Sequence, residues 1–117
     1  MTMRTSRLIG VLLLLLSLAA CAPADVDSPE SAKQLIDSGA LVVDVRSEEE
    51  FQSGHLEGAL NVPHTEIEEN LAAFGADKEK PNVVYCRSGR RSGIAKEVLE
   101  KNGFTSVHNG GGYEDLK

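Results

Sequence analysis

The sequence predicts an α/β domain of three layers, in which helices cover both faces of a central, mainly parallel sheet. Two observations support this prediction: short apolar segments alternate with amphipathic segments of helical length, and capping or stop residues separate them. With 117 residues, 41% apolar and 26% charged, the chain has the composition of one ordinary globular domain. In parallel sheets of this kind the ligand site lies at the carboxyl ends of the strands.

Capping and stop residues define the first half of the domain. The first helix begins at Ser28, which is a typical N-cap residue before Pro29, and ends at Gly39. A short apolar strand follows over residues 41–45. A capping box is then indicated by a serine and a glutamate three residues apart, Ser47 and Glu50, and predicts a second, brief helix.

The second half repeats the alternation of helix and strand. Thr65 and Glu68 have the spacing of another capping box and predict a third helix. A strand over residues 83–85 leads into a longer helix, and a strand over 105–108 with a glycine turn at 110–112 closes the domain. The buried stripe predicted for the longer helix consists of Ile94, Ala95, Val98 and Leu99.

The N-terminal residues have the pattern of a secretory signal peptide. Arg4 and Arg7 precede an apolar run of 13 residues, which is shorter than the roughly 20 that cross a bilayer as a helix. The run ends in Leu-Ala-Ala-Cys at 18–21, which resembles the lipobox of bacterial lipoproteins, whose cysteine is acylated. The alternative is ordinary signal-peptide cleavage, with Cys21 a chance residue at that position.

The lipobox resemblance divides the chain into three parts. We expect residues 1–20 to be a signal peptide, residues 21–27 to be the lipidated cysteine with a short tether, and residues 28–117 to form the domain. The protein is then expected in the cell envelope, attached to the membrane through its lipid and facing the periplasm or the exterior. Ala22 replaces the aspartate associated with inner-membrane retention, so the outer membrane is favoured in a cell that has one.

The charge balance restricts the partners of this domain. The chain carries a net charge of -6, and loss of residues 1–20 with their two arginines makes it -8. Nucleic acid is therefore excluded as an expected partner, because there is no basic face to displace counterions. The three histidines are not near one another in sequence, so no metal site or cofactor is predicted. We expect a monomer.

One loop combines the residue types of nucleophilic catalysis. It lies between a predicted strand and a helix and consists of Cys86, Arg87, Ser88, Gly89, Arg90, Arg91 and Ser92. A cysteine reacts as its thiolate, which a helix N-terminus, nearby arginines and converging backbone amides all favour. Gly89 permits the loop to curl, and the arginines suit a small anion, with Arg91 the one expected to turn inward. The alternative is a buried structural cysteine at the end of an apolar strand.

Three segments of the chain resemble the single-domain rhodaneses. Cys-Arg-x-Gly-x-Arg at 86–91 is similar to the six-residue active loop of that family. The Val-Asp-Val-Arg at 43–46, followed by Glu-Phe at 50–51 and by Gly-His-Leu-Glu-Gly-Ala-Leu-Asn-Val-Pro at 54–63, looks like its N-terminal signature. Asn-Gly-Gly-Gly-Tyr at 109–113 is similar to its closing glycine turn. The resemblance covers nearly all of residues 28–117.

The resemblance implies a rhodanese-like fold and a sulfurtransferase that forms a persulfide on Cys86. The donor would be a small sulfur anion such as thiosulfate, or a persulfide, and the acceptor a thiol or cyanide. Asp44 and Arg46 are expected to support the rim of the site as an ion pair or as caps. Two alternatives remain: a persulfide carrier or docking module without catalysis, and a cysteine phosphatase or arsenate reductase. Phosphatases of that kind have an arginine six residues after the cysteine, where this chain has Ser92.

Overall fold

The computed structural model describes residues 27–117 and contains one parallel β-sheet. Its strands are β1 (Leu41–Asp44), β2 (Leu60–Asn61), β3 (Asn82–Cys86) and β4 (Val107–Gly112). They lie in the order β2-β1-β3-β4, and every neighbouring pair is parallel. The carboxyl ends of all four strands therefore meet at one edge of the sheet, and the predicted parallel sheet is confirmed.

Helices connect the strands. They are α1 (Pro29–Asp37), α2 (Glu48–Ser53), α3 (Arg90–Lys101) and α4 (Tyr113–Leu116), with two 3₁₀ helices at His64–Glu66 and Glu68–Phe74. Ser28 caps α1, since its hydroxyl accepts a hydrogen bond from the Ser31 N–H at 3.1 Å. Both hydrogen bonds of the capping box between Ser47 and Glu50 are present at the start of α2. These two helix starts are confirmed.

Apolar side chains cover both faces of the sheet. One core joins β1, β3 and α3 with the 3₁₀ segment, and its largest members include Val43, Val84, Ile67, Leu99 and Phe104. The other core lies under α1 and α4 and contains Ala32, Val42, Val83, Tyr85 and Leu116. The sheet is thus the middle of three layers, as predicted. The domain is stabilised mainly by this two-sided burial of short, nearly continuous apolar strands.

The helix predicted after Thr65 is wrong in type and in start. Pro63 is the N-cap residue of the first 3₁₀ helix and makes no side-chain capping bond, so Thr65 lies inside the turn. Asn70 interrupts the second 3₁₀ helix with non-helical φ and ψ of -127° and 32°. Its side-chain amide donates to the Glu66 carbonyl oxygen at 2.9 Å, which replaces the backbone bond of an α-helix at this point.

Two further predictions need correction. Ile94 is 36% exposed, and Ser92 takes its place in the buried stripe of α3 with Ala95 and Leu99. The glycines at 110–112 belong to β4 rather than to a turn. This strand begins at Val107, two residues later than predicted, and continues to Gly112. Strand β2 was not predicted from the sequence, since two residues carry no periodic signal of their own.

The predicted signal peptide over residues 1–20 and the acylation of Cys21 lie outside the described residues. Asp27, the last residue of the predicted tether, already contacts the domain through an ion pair of 2.7 Å with Lys96. Within residues 27–117, no helix has both the length and the apolar character needed to cross a bilayer.

Candidate active site

Cys86 is the last residue of β3 and lies at the edge where the strands end. It is 1% exposed and pairs with Gly112 of β4. The three residues that follow form a tight turn, and helix α3 begins at Arg90. Gly89 makes this turn possible because its φ of 99° is in the left-handed region, which side chains disfavour. The sulfur is therefore placed close to a helix N-terminus.

Hydrogen-bond donors converge on the Cys86 sulfur. The Gly89 N–H donates to Sγ at 3.0 Å, and the Ser92 hydroxyl lies 3.3 Å from the same atom. Burial raises the pKa of the Cys86 thiol, but the Ser92 hydroxyl and the backbone amides of Ser92, Ser88 and Gly89 outweigh it. The net effect is a lowered pKa, which favours the thiolate.

The loop also depends on a close approach between two backbones. A Cβ atom at Gly112 would lie 2.5 Å from the Arg87 carbonyl oxygen, a distance that real side chains do not tolerate. Glycine at this position lets β4 run directly beneath the first peptide of the loop. The turn after Cys86 therefore rests on the glycine end of the neighbouring strand.

The three arginines of the loop have different surroundings. Arg87 and Arg90 are exposed, and neither is in an ion pair within residues 27–117. Arg91 is the least exposed of the three and donates to both carboxylate oxygens of Glu50, at 2.8 and 3.1 Å. This bidentate bond lowers the pKa of Glu50 to about 2. Arg87 and Arg90 thus remain available to bind a small anion, whereas Arg91 is bonded to Glu50 of α2.

Asp44 and Arg46 form the predicted ion pair at the rim of the sheet. Both are buried, with 2.6 Å between Arg46 Nη2 and Asp44 Oδ2. The same nitrogen donates to the Gly54 carbonyl oxygen at 2.7 Å, and the guanidinium lies over the rings of Tyr85 and Tyr113. The hydrogen bond to Asp44 raises the pKa of Arg46. This pair joins β1, the start of the 54–63 segment and α4.

A shallow cavity opens beside the loop. Its volume is about 340 Å³, and its lining consists of Arg46, Glu50, Ser53, Arg87, Tyr113 and Glu114. Its lining holds two arginines and two glutamates, and Arg46 and Glu50 are bonded to other side chains. Arg87, which has no ion pair within residues 27–117, is therefore the cation that the cavity offers a small anion.

Sequence reasoning missed two residues of this site. Glu50 was assigned only a capping role, although its carboxylate also holds Arg91. Asn109 was noted only as part of a glycine-rich segment, yet its side chain accepts from Ser92 at 2.7 Å and donates to the Gly89 carbonyl oxygen at 3.0 Å. One signal was available for Asn109: it lies near the carboxyl end of a strand, where a parallel sheet collects its functional side chains.

No metal centre is visible in this part of the chain. Among residues 27–117, no three His, Cys, Asp or Glu side chains are grouped so that they could hold a metal ion.

Known proteins with similar sequences share this domain. Residues 28–117 match the rhodanese-like domain family. Thiosulfate sulfurtransferase PspE of Escherichia coli (strain K12) is 45% identical over 74 residues, which are 63% of this chain and 71% of that protein. Thiosulfate sulfurtransferase GlpE of Pseudomonas aeruginosa (strain LESB58) is 36% identical over 88 residues, 74% of this chain and 78% of that protein.

Solved structures share its fold. A rhodanese with anions from E. coli aligns with a TM-score of 0.62 at 43% identity, over 66% of this chain and 91% of the other. The human single-domain sulfurtransferase TSTD1 aligns with a TM-score of 0.68 at 33% identity, over 80% of this chain and 95% of the other. With the cysteine loop at the edge of the same parallel sheet, this chain belongs to the rhodanese-like domain family, as a rhodanese-type sulfurtransferase.

Proposed function

We propose that this domain moves a sulfane sulfur from thiosulfate or a persulfide to a thiophilic acceptor through a persulfide on Cys86. The observation that supports this most is the convergence of the Gly89 amide and the Ser92 hydroxyl on a buried sulfur whose thiol pKa is lowered. The names of PspE and GlpE support thiosulfate as the donor.

The first half-reaction is a displacement at sulfur. The Cys86 thiolate attacks the outer sulfur of thiosulfate, a new sulfur–sulfur bond forms, and the bond inside thiosulfate breaks so that sulfite leaves with the electron pair. In the second half-reaction cyanide or a thiolate attacks the outer sulfur of the persulfide and restores the Cys86 thiolate. No outside oxidant or reductant is needed, because each step exchanges one sulfur–sulfur bond for another bond to sulfur.

Neighbouring groups take separate parts in these steps. The loop amides and the Ser92 hydroxyl stabilise negative charge on the cysteine sulfur and on the persulfide. Arg87 and Arg90, which are exposed and unpaired within residues 27–117, attract the anionic donor and the departing sulfite. Arg91 adds positive charge near Cys86 while its bond to Glu50 holds it in place.

The decisive test is a thiosulfate-to-cyanide transfer assay on Cys86→Ser. We expect a loss of activity to background, because a serine hydroxyl cannot carry the transferred sulfur. The matched control is Cys21→Ser, which removes the other cysteine of the chain and leaves the loop intact. If the Cys86→Ser protein kept wild-type activity, the proposal would fail.

Mass spectrometry of the wild type and of Cys86→Ser also separates a catalyst from a sulfur carrier. Mass spectrometry of the protein after incubation with thiosulfate is expected to show a gain of one sulfur atom that Cys86→Ser abolishes. A catalyst then loses this mass to cyanide over many cycles. Loading that is followed by no repeated release would assign the domain to storage or delivery of sulfur.

We also propose that the domain works in the cell envelope on a lipid anchor at Cys21. The support lies in the sequence, where two arginines, a short apolar run and Leu-Ala-Ala-Cys succeed one another. The tether between the cysteine and the domain is short, and at ~3.5 Å per residue it would keep the start of the domain within roughly 20 Å of the membrane surface.

A further inference from the structure

Two residues that hydrogen-bond to the Cys86 sulfur, Gly89 and Ser92, also bond to Asn109. The Gly89 N–H and the Ser92 hydroxyl lie 3.0 and 3.3 Å from Sγ. The Asn109 amide nitrogen donates to the Gly89 carbonyl oxygen at 3.0 Å, and its oxygen accepts from the Ser92 hydroxyl at 2.7 Å. One side chain of β4 therefore holds both donors, although it does not itself contact the sulfur.

The orientation of the Asn109 amide is determined by the backbone around it. Its oxygen also accepts from the Gly111 N–H at 3.0 Å, and a backbone N–H can only donate. Its nitrogen faces the Gly89 carbonyl oxygen, which can only accept. A flipped amide would lose these bonds and place like groups against each other, so the acceptor must face Ser92.

We propose that Asn109 is a positioning residue of the active site, which holds the Gly89 amide and the Ser92 hydroxyl in place around the sulfur of Cys86. This inference rests on the proposed role of Cys86 and adds a residue that does not contact it. The Gly89 carbonyl also accepts the first hydrogen bond of α3 from the Gly93 N–H at 3.0 Å. Asn109 thus secures the turn where strand, loop and helix meet.

The single proton of Ser92 gives this arrangement two states. When Cys86 is a thiol, its S–H can donate to the Ser92 oxygen while the Ser92 hydroxyl donates to Asn109. When Cys86 is a thiolate, the Ser92 proton turns to the sulfur, and the Asn109 oxygen keeps its bond from the Gly111 N–H. Because the Ser92 and Asn109 oxygens share no proton in this second state, Asn109 supports the thiolate through its bond to the Gly89 carbonyl oxygen, which both states keep.

The first test measures the pKa of the Cys86 thiol in the Asn109→Ala protein, from the pH dependence of its alkylation by iodoacetamide. We expect the midpoint to rise by about one pH unit, because the turn that presents the Gly89 amide to the sulfur is loosened. The control is Asn102→Ala, at the other end of α3, where the side chain bonds to Glu68 and to the Val98 carbonyl oxygen. That substitution is expected to lower the melting temperature without moving the midpoint.

A second variant distinguishes a local effect on the sulfur from simple unfolding of the domain. Asn109→Asp keeps the size and the acceptor for Ser92 and Gly111, but it loses the donor to the Gly89 carbonyl oxygen. We expect its midpoint to rise at least as far, since a carboxylate is also placed near the sulfur. The charged neighbours Arg87, Arg90, Arg91 and Glu50 and the pair of Asp44 with Arg46 are unchanged in every variant.

The variants also show whether Asn109 acts through Ser92. The Asn109→Ala shift is expected to be retained in a Ser92→Ala background, because it arises at the Gly89 turn and does not depend on the Ser92 proton. Midpoints that stay at or below the wild-type value in both Asn109 variants would overturn the inference, as would an equal rise in Asn102→Ala. Alkylation requires no sulfur transfer, so this result is independent of the assay that tests the proposed function.

Discussion

At Cys86 two opposing effects act on one sulfur atom. Removing the thiol from water disfavours its charged form, whereas hydrogen bonds from the loop favour that form. The pKa of Cys86 is lowered, so the donors outweigh burial. A cysteine that only filled space at the end of a buried strand would have the first effect without the second. The arrangement of donors therefore distinguishes the reactive from the structural interpretation of this residue.

Gly112 provides a prediction at the scale of one residue. We expect Gly112→Ala to lower the free energy of unfolding by about 1–3 kcal/mol, because its Cβ would overlap the Arg87 carbonyl oxygen. Sulfur transfer should fall as well, since the loop must shift to relieve the overlap. Urea unfolding and the thiosulfate assay measure the two effects.

Gly93→Ala is the matched control for this substitution. Gly93 lies in α3, and its Cβ would make only an ordinary contact of 3.5 Å with Asn109. Alanine should stabilise the helix there by about 0.5–1 kcal/mol. A Gly112→Ala protein as stable as Gly93→Ala would contradict the steric argument.

The residues of the loop could be predicted from local sequence, but their supports could not. Cys86 and Gly89 are recognisable because a strand, a cysteine, a glycine and a helix follow one another within a few residues. Glu50 and Arg91 are 41 residues apart, and Ser92 and Asn109 are 17 apart. Such pairs are created by the crossover connections of the sheet, and no spacing rule along the chain reports them.

At the scale of elements, the bond between Glu50 and Arg91 links α2 to the first turn of α3. Helix α2 has only six residues and none of them is buried, so packing alone fixes it weakly. Its capping box and its ion pair both use Glu50. The helix that borders the cavity beside the loop is therefore fixed largely by one carboxylate.

This arrangement predicts a pH dependence of stability. The pKa of Glu50 falls from 4.5 to about 2 on folding, so its contribution is complete above 4.5 and is lost as the pH falls toward 2. We expect Glu50→Gln to be less stable than the wild type at neutral pH, with a gap that narrows between these two values. Urea unfolding at neutral pH and at a pH between them measures the gap. A gap of the same size at both would argue against a charged pair.

Local signals predicted two helix starts correctly, whereas they failed at Thr65 and at the end of β4. Ser28 and Ser47 cap helices because their bonds reach only three residues along the chain. The end of β4 was predicted wrongly, because glycines favour turns in isolation, whereas here Gly111 and Gly112 pair with Tyr85 and Cys86 of β3. In β4 the close approach of the neighbouring backbone determines the conformation of these glycines, and their intrinsic preference for turns does not.

At the scale of the whole molecule, the charge distribution separates the site from the rest of the surface. The chain has a net charge of -6, yet the loop presents two exposed arginines beside the cysteine. An anionic donor is repelled by the net charge of the chain and attracted by these two arginines. Since such fields decay over about 10 Å at moderate salt, the attraction acts only near the loop.

The anchor gives the prediction at this scale. We expect a palmitate analogue fed to cells to label the wild-type protein, and Cys21→Ser to abolish the label and release the protein from the membrane fraction. Sulfur transfer by the released protein should be unchanged, because Cys21 is not in the domain. A label retained in Cys21→Ser would place the lipid on another residue, and an unlabelled, soluble wild-type protein would show that the leader is cleaved in the ordinary way.

The 1% exposure of Cys86 also determines what can collide with it. A small ion can bring one atom to the sulfur, whereas a bulky disulfide cannot align its own sulfurs within the turn. The cysteine is thereby shielded from mixed disulfides and from slow oxidation by large molecules. A persulfide would extend ~2 Å beyond the cysteine sulfur. An acceptor would then contact the outer sulfur of the persulfide first and would not need to reach the Cys86 sulfur.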